Sequence, residues 1–182
     1  MAPIWRNLRG EFIENLETKI AQDIKNYCEG FELEASVGCD SQVRKFKKKK
    51  GRFITYITAL VIRKLTPGQK WETDNERRNR HGNGALCYYI KETDPLLNIS
   101  IEERLIGETE KSVYWAPILD EILVNYEACI YDIHLDLNQD KKHLSNKVLN
   151  QCKGWVQGIG YDAVLKPDSF VSSKVADRRT RK

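Results

Sequence analysis

The five cysteines of this 182-residue chain, Cys28, Cys39, Cys87, Cys129 and Cys152, are odd in number, and none sits in a Cys-x-x-Cys pair. That spacing excludes a zinc ribbon and a disulfide framework. Cys39, Cys87 and Cys129 lie in apolar runs and are expected to be small core residues. The three histidines also form no recognisable ligand cluster. No apolar run approaches the roughly 20 residues a bilayer-crossing helix needs. The opening Met1-Ala2-Pro3-Ile4-Trp5-Arg6 has no apolar leader core, so the expected location is cytoplasmic, with no membrane partner. Internal repeats are absent, and the only biased tract is a lysine run. A formal net charge of +4 is mild, so the placement of charge matters more than its sum.

The remaining residues pattern as one α/β domain of ordinary composition. Phe12, Ile13, Leu16, Ile20, Ile24 and Tyr27 recur at helical spacing from about Gly10 to Glu29, with Gly30 as a stop. Residues 1–32 are therefore expected to be an N-terminal helical extension packed on a domain spanning 33–182. Strands are expected at about 33–42, 53–63 and 84–91, rich in Ile, Thr, Tyr and Val. A helix follows over about 99–124, with Leu105, Glu108, Ser112, Ala116, Leu119 and Leu123 inward, Ile101 at the start of that stripe, and Pro117 as a bend. A fourth strand spans about 128–137, a helix about 141–158, and a fifth strand 162–166. A last helix opens at Pro167-Asp168, with Asp168 as its N-terminal cap. Three antiparallel strands followed by strand–helix alternation imply a mixed sheet, its last two strands parallel, with helices on both faces.

Certain carboxylates break this pattern. Asp40 ends the apolar first strand in Val37-Gly38-Cys39-Asp40-Ser41-Gln42. Glu108 interrupts the apolar face of its helix, and Asp136 shares a face of the fourth strand with Asp132 and His134. A late aspartate, Asp168 or Asp177, lies on the last helix. An unpaired buried carboxylate is costly. Several gathered in one place become tolerable around divalent cations, and hard oxygen donors suit Mg²⁺ or Mn²⁺. Two such ions about 3.5–4 Å apart can activate water and stabilise the leaving oxygen of a phosphodiester. Each acid also has a plainer role: Asp40 and Asp136 as turn formers, Glu108 as an ion-pair partner of Arg104 or Lys111, and His134 as a hydrogen-bonded core residue rather than a proton shuttle.

Two stretches supply positive charge. Arg44, Lys45, Lys47, Lys48, Lys49, Lys50 and Arg52 surround Phe46 at the tip of the first hairpin, and Arg77, Arg78 and Arg80 lie in the polar segment after the second strand. They offer a surface for a phosphate backbone, with Phe46 placed to stack on a base. Such runs are also common as solvated loops. Lys166 could reach a phosphate, or could serve as an ordinary surface lysine. None of these residues supplies a base-reading code.

The order of elements and acids resembles the ribonuclease H-like fold. The blocks Val37–Gln42, Leu105-Ile106-Gly107-Glu108-Thr109, Ile133-His134-Leu135-Asp136-Leu137-Asn138, Leu165-Lys166-Pro167-Asp168-Ser169-Phe170-Val171-Ser172-Ser173 and Val175-Ala176-Asp177-Arg178-Arg179-Thr180 resemble the YkuK family within it. The resemblance implies a metal-dependent nuclease with two Mg²⁺ or Mn²⁺ ions. In it Asp40 bridges the ions, Glu108 and Asp136 complete the cage, and Asp168, with Asp177 as the alternative, is the fourth acid. The implied substrate is nucleic acid: RNA, RNA–DNA hybrid or structured DNA. A nucleic-acid-binding protein without turnover and an assembly protein using the basic hairpin are the competing expectations.

Overall fold

The computed structural model describes residues 4–45, 52–65, 84–96, 99–140, 142 and 144–180. Strands β2 (Glu32–Lys45), β3 (Arg52–Leu65) and β4 (Ala85–Leu96) form an antiparallel meander. β2 and β3 pair along their whole length, from Glu32 opposite Leu65 to Lys45 opposite Arg52. Strands β5 (Ile130–Asn138) and β6 (Asp162–Lys166) then add parallel to the other edge of β2.

One short strand lies outside the expected set. Trp5–Asn7 forms β1, antiparallel to β4 with Trp5 opposite Ile90, so the sheet order is β1-β4-β3-β2-β5-β6. The N-terminal segment is thus an edge of the sheet as well as a helix packed upon it. Helix α1 (Leu16–Tyr27) begins later than the apolar spacing predicts, because the Asn15 side chain accepts from Thr18 N at 2.8 Å and caps it there. Asp23 ties α1 to the sheet: it accepts from Tyr88 Oη at 2.7 Å and pairs with Lys19 at 2.7 Å.

Helix α2 (Ile101–Leu123) starts at a capping box formed by Ser100 and Glu103. Leu105, Glu108, Thr109, Ser112, Ala116, Leu119 and Leu123 are buried, whereas Ile101 is exposed and lies off the inward stripe. A 3₁₀ turn at Leu144–Val148 leads into α3 (Leu149–Gly158). The main core joins α1, α2 and α3 to Val37, Leu60, Ile62, Tyr88, Ile133, Leu135 and Leu137 on one sheet face. Ile57, Ala59, Val61 and Tyr89 look the other way, toward Val171 and Ala176 of the C-terminal segment. Helical structure therefore covers both faces of a mixed sheet, as the element order implies.

That C-terminal segment differs from a plain helix. Val171–Ala176 is π-helical and continues as α4 (Asp177–Thr180). Its start has no side-chain cap, and Asp168 lies exposed in the preceding turn, so Asp168 is not the cap its position predicts. Cys129 is also exposed, unlike the buried Cys39. No helix among the described residues is long and apolar enough to cross a membrane.

Candidate metal centre

β2 and β5 pair in parallel from Ala35 opposite Ile130 to Gly38 opposite His134, and there the pairing stops. The same register carried two residues further would set Asp40 opposite Asp136. The strands part at the two acids. A second irregularity lies on the far side of β5. Between His134–Val164 and Asn138–Lys166, β5 advances four residues while β6 advances two. A bulge of this kind bends a strand and re-aims its side chains, and Asp136 sits within it. Glu108 is then brought in from above by α2.

Two glycines permit these approaches. A Cβ on Gly107 would stand 2.5 Å from the Tyr56 hydroxyl oxygen, so only glycine lets α2 settle onto β3 next to Glu108. A Cβ on Gly38 would stand 2.8 Å from the Ser172 nitrogen and 3.0 Å from the His134 carbonyl oxygen, where the π-helical segment crosses β2.

The three acids converge. Asp40, Glu108 and Asp136 each place a carboxylate oxygen within 4.8 Å of the other two. Glu108 is buried, and Ser41 Oγ donates to its Oε1 at 2.6 Å, with Arg104 Nε at 3.8 Å from the same oxygen. Its other oxygen, Oε2, is buried without a hydrogen-bond partner. Burial raises the Glu108 pKa from an ordinary 4.5 to about 8; Ser41 and Arg104 work against the rise, and Asp40 and Asp136 add to it. Asp136, only partly buried, meets Lys166 Nζ at 2.6 Å. Lys111 does not reach Glu108; it pairs with Glu92 at 2.8 Å.

This arrangement fits a hard divalent cation. The donors are all carboxylate oxygens, they come from three separate elements, and one is a buried, unpartnered oxygen whose negative charge only a cation or a proton relieves. Among the described residues the group of three acids includes neither Asp168, exposed in the turn before the π-helical segment, nor Asp177, at the start of α4.

His134 stands beside the acids but is not among them. It is 2 % exposed, its Nε2 is 3.1 Å from Asp132 Oδ1, and its ring meets Phe170 edge-on at 4.7 Å. Burial would raise the Asp132 pKa, yet the bond and charge of His134, with Ser36 and Arg63, hold it below the ordinary aspartate range. The Asp132–His134 contact lies within β5, and the His134 ring packs on Phe170, just before the π-helical segment. Ser41 was not among the predicted site residues. Its signal was available only in strand alternation, which turns it to the α2 side, opposite Asp40.

Of the predicted basic surface, Arg44 donates to Gln42 Oε1 at 2.7 and 2.9 Å, and Arg52 is exposed at the start of β3. The backbone of Lys45 ends β2. Phe46, Lys47, Lys48, Lys49, Lys50, Arg77, Arg78 and Arg80 lie outside the described residues.

Comparison with known proteins agrees with the fold. The family described as ribonuclease H-like matches residues 17–181. The uncharacterized protein YkuK of Bacillus subtilis (strain 168) is 25% identical over 152 residues, covering 80% of this chain and 78% of YkuK. No solved structure matches the chain.

Proposed function

We propose, from the premise that this chain belongs to the ribonuclease H-like family as a relative of YkuK, that it is a divalent-metal-dependent nuclease. The observation that carries the reading is the meeting of Asp40, Glu108 and Asp136 within 4.8 Å, with Glu108 Oε2 buried and unpartnered. These three residues would hold Mg²⁺ or Mn²⁺, and the resemblance implies two ions. When bound, such an ion supplies Lewis-acid activation of water and neutralisation of phosphate charge.

The chain's own residues account for the rest. Asp40, at the point where β2 and β5 separate, would bridge the ions as the resemblance implies. Ser41 holds Glu108 through Oε1, and the unpartnered Oε2 would be available to an ion. The reaction is hydrolysis: the hydroxyl of water ends on phosphorus, the bond from phosphorus to the ester oxygen breaks, and that oxygen takes up the proton. No serine, cysteine or lysine nucleophile is needed. The basic residues 44–52 and 77–80 would carry the nucleic-acid backbone, giving affinity without sequence choice. RNA, RNA–DNA hybrid and structured DNA are the substrate classes.

The test is a panel of hybrid, duplex, single-stranded and branched nucleic acids incubated with the full chain and Mn²⁺. Cleavage that disappears in Asp40→Asn and Asp136→Asn supports the reading. A panel left intact by a folded, Mn²⁺-loaded protein removes the enzyme claim. One observation favours a second reading, a nucleic-acid-binding protein without turnover: Lys166 already neutralises Asp136. That reading expects salt-sensitive binding that survives loss of both aspartates.

A further inference from the structure

One oxygen from each acid can reach a single ion. In octahedral Mg²⁺ coordination, opposite oxygens stand about 4.2 Å apart, twice a bond of about 2.1 Å. One carboxylate oxygen from each of Asp40, Glu108 and Asp136 lies within 4.8 Å of the other two. Among the described residues no fourth acid joins the group to widen it. At the Asp136 end stands a cation of the chain itself, Lys166 Nζ, 2.6 Å from Asp136 Oδ1. Its place is fixed by pairing of Lys166 with Asn138, beyond the bulge in β5.

Charge points the same way. Three carboxylates against Arg104 and Lys166 leave a formal charge of −1. One divalent ion and one phosphodiester anion bring that to zero, whereas two ions leave an excess of +2.

We propose that Lys166 is a tethered cation occupying the second ion position, so that the site takes one divalent ion and presents the Lys166 ammonium to the substrate phosphate. The inference rests on the reading of the three acids as a metal centre. It gives Lys166 a role apart from general backbone affinity: the ammonium meets charge on the phosphate oxygens where the resemblance would put a second ion. It also makes Lys166 and any second ion mutually repulsive.

Mn²⁺ titration of the full chain, read by the electron paramagnetic resonance of free Mn²⁺, separates the possibilities. Wild type is expected to take up one equivalent, and Lys166→Arg also one. Lys166→Met is expected to take up two, or to bind its single ion at least about tenfold tighter once the neighbouring charge is gone. The Lys166 side chain is 37 % exposed at a strand end, so its loss is tolerable, and Lys166→Gln replaces the methionine variant if that fails to fold. Two equivalents in wild type, or a charge-free variant matching wild type in both stoichiometry and affinity, overturns the proposal. Asp40→Asn separates this failure from failure of the metal reading. If wild type binds no Mn²⁺, or if Asp40→Asn binds it unchanged, the centre itself is misassigned and the Lys166 inference goes with it.

Discussion

Replacing Glu108 with glutamine should make the metal-free protein more stable at neutral and alkaline pH. Glu108 is buried between two other acids, and its carboxyl pKa rises from 4.5 to about 8. A pKa raised by folding leaves stability intact below pH 4.5 and removes it as pH climbs toward 8, because only the unfolded chain releases the proton freely. Each unit is worth about 1.4 kcal/mol, so at pH 7 the upper bound is about 3 kcal/mol. Relaxation around the charge brings the working figure to about 2 kcal/mol. Glutamine has the same shape, still accepts from Ser41, and carries no ionisable proton. For a domain of this size, 2 kcal/mol corresponds to a Tm rise of roughly 4–8 °C. The assay is thermal unfolding in chelator from pH 4.5 to 8.5. Glu108→Gln should gain over wild type steadily across that range, with no gain at pH 4.5. Mn²⁺ should reverse the ranking, since an ion replaces the proton in wild type only. Parallel melting curves for the two proteins from pH 4.5 to 8.5 would refute the reasoning.

Gly107→Ala should destabilise the fold by about 1–2 kcal/mol and weaken Mn²⁺ binding, because its Cβ would collide with the Tyr56 hydroxyl and lift α2 from β3; chemical denaturation and Mn²⁺ titration measure both effects. Asp132→Asn should cost stability near neutrality. The deficit should shrink as pH falls below the ordinary aspartate value of 3.8, because a carboxylate held at a lowered pKa stabilises only while ionised; acid titration of both proteins by circular dichroism checks the sign. Neutralising Lys47, Lys48, Lys49 and Lys50 should weaken nucleic-acid binding alike across sequences. It should also flatten the dependence of log affinity on log salt, by up to about 3.6 on duplex and about 2.8 on single strands.

The acids were legible in the sequence for a plain reason. Asp40 and Glu108 each occupy a position whose neighbours demand an apolar residue, and Asp136 falls on an alternating strand, so each stands out against a strong local period. The main strands and α2 were legible on the same grounds. What escaped was set by tertiary pairing. Trp5–Asn7 is too short to have a period and becomes a strand only because β4 offers an edge. The bulge that aims Asp136 depends on the register against β6, which no residue of β5 announces. Asp168 followed by a serine-rich run looks like a helix cap, yet the segment winds as a π-helix starting later, over the surface that Gly38 leaves open. Ser41 is an ordinary polar residue in sequence and Lys166 stands out there only as a possible phosphate contact; proximity to Glu108 and Asp136 is what places both beside the acids.

The most direct measurement is anomalous diffraction from crystals of the full chain soaked in Mn²⁺. The account predicts a peak bonded to carboxylate oxygens of Asp40, Glu108 and Asp136 at roughly 2.2 Å, close to the distances hard divalent ions take to oxygen. A map with no peak among these three residues, or with Mn²⁺ held by other side chains instead, would contradict it.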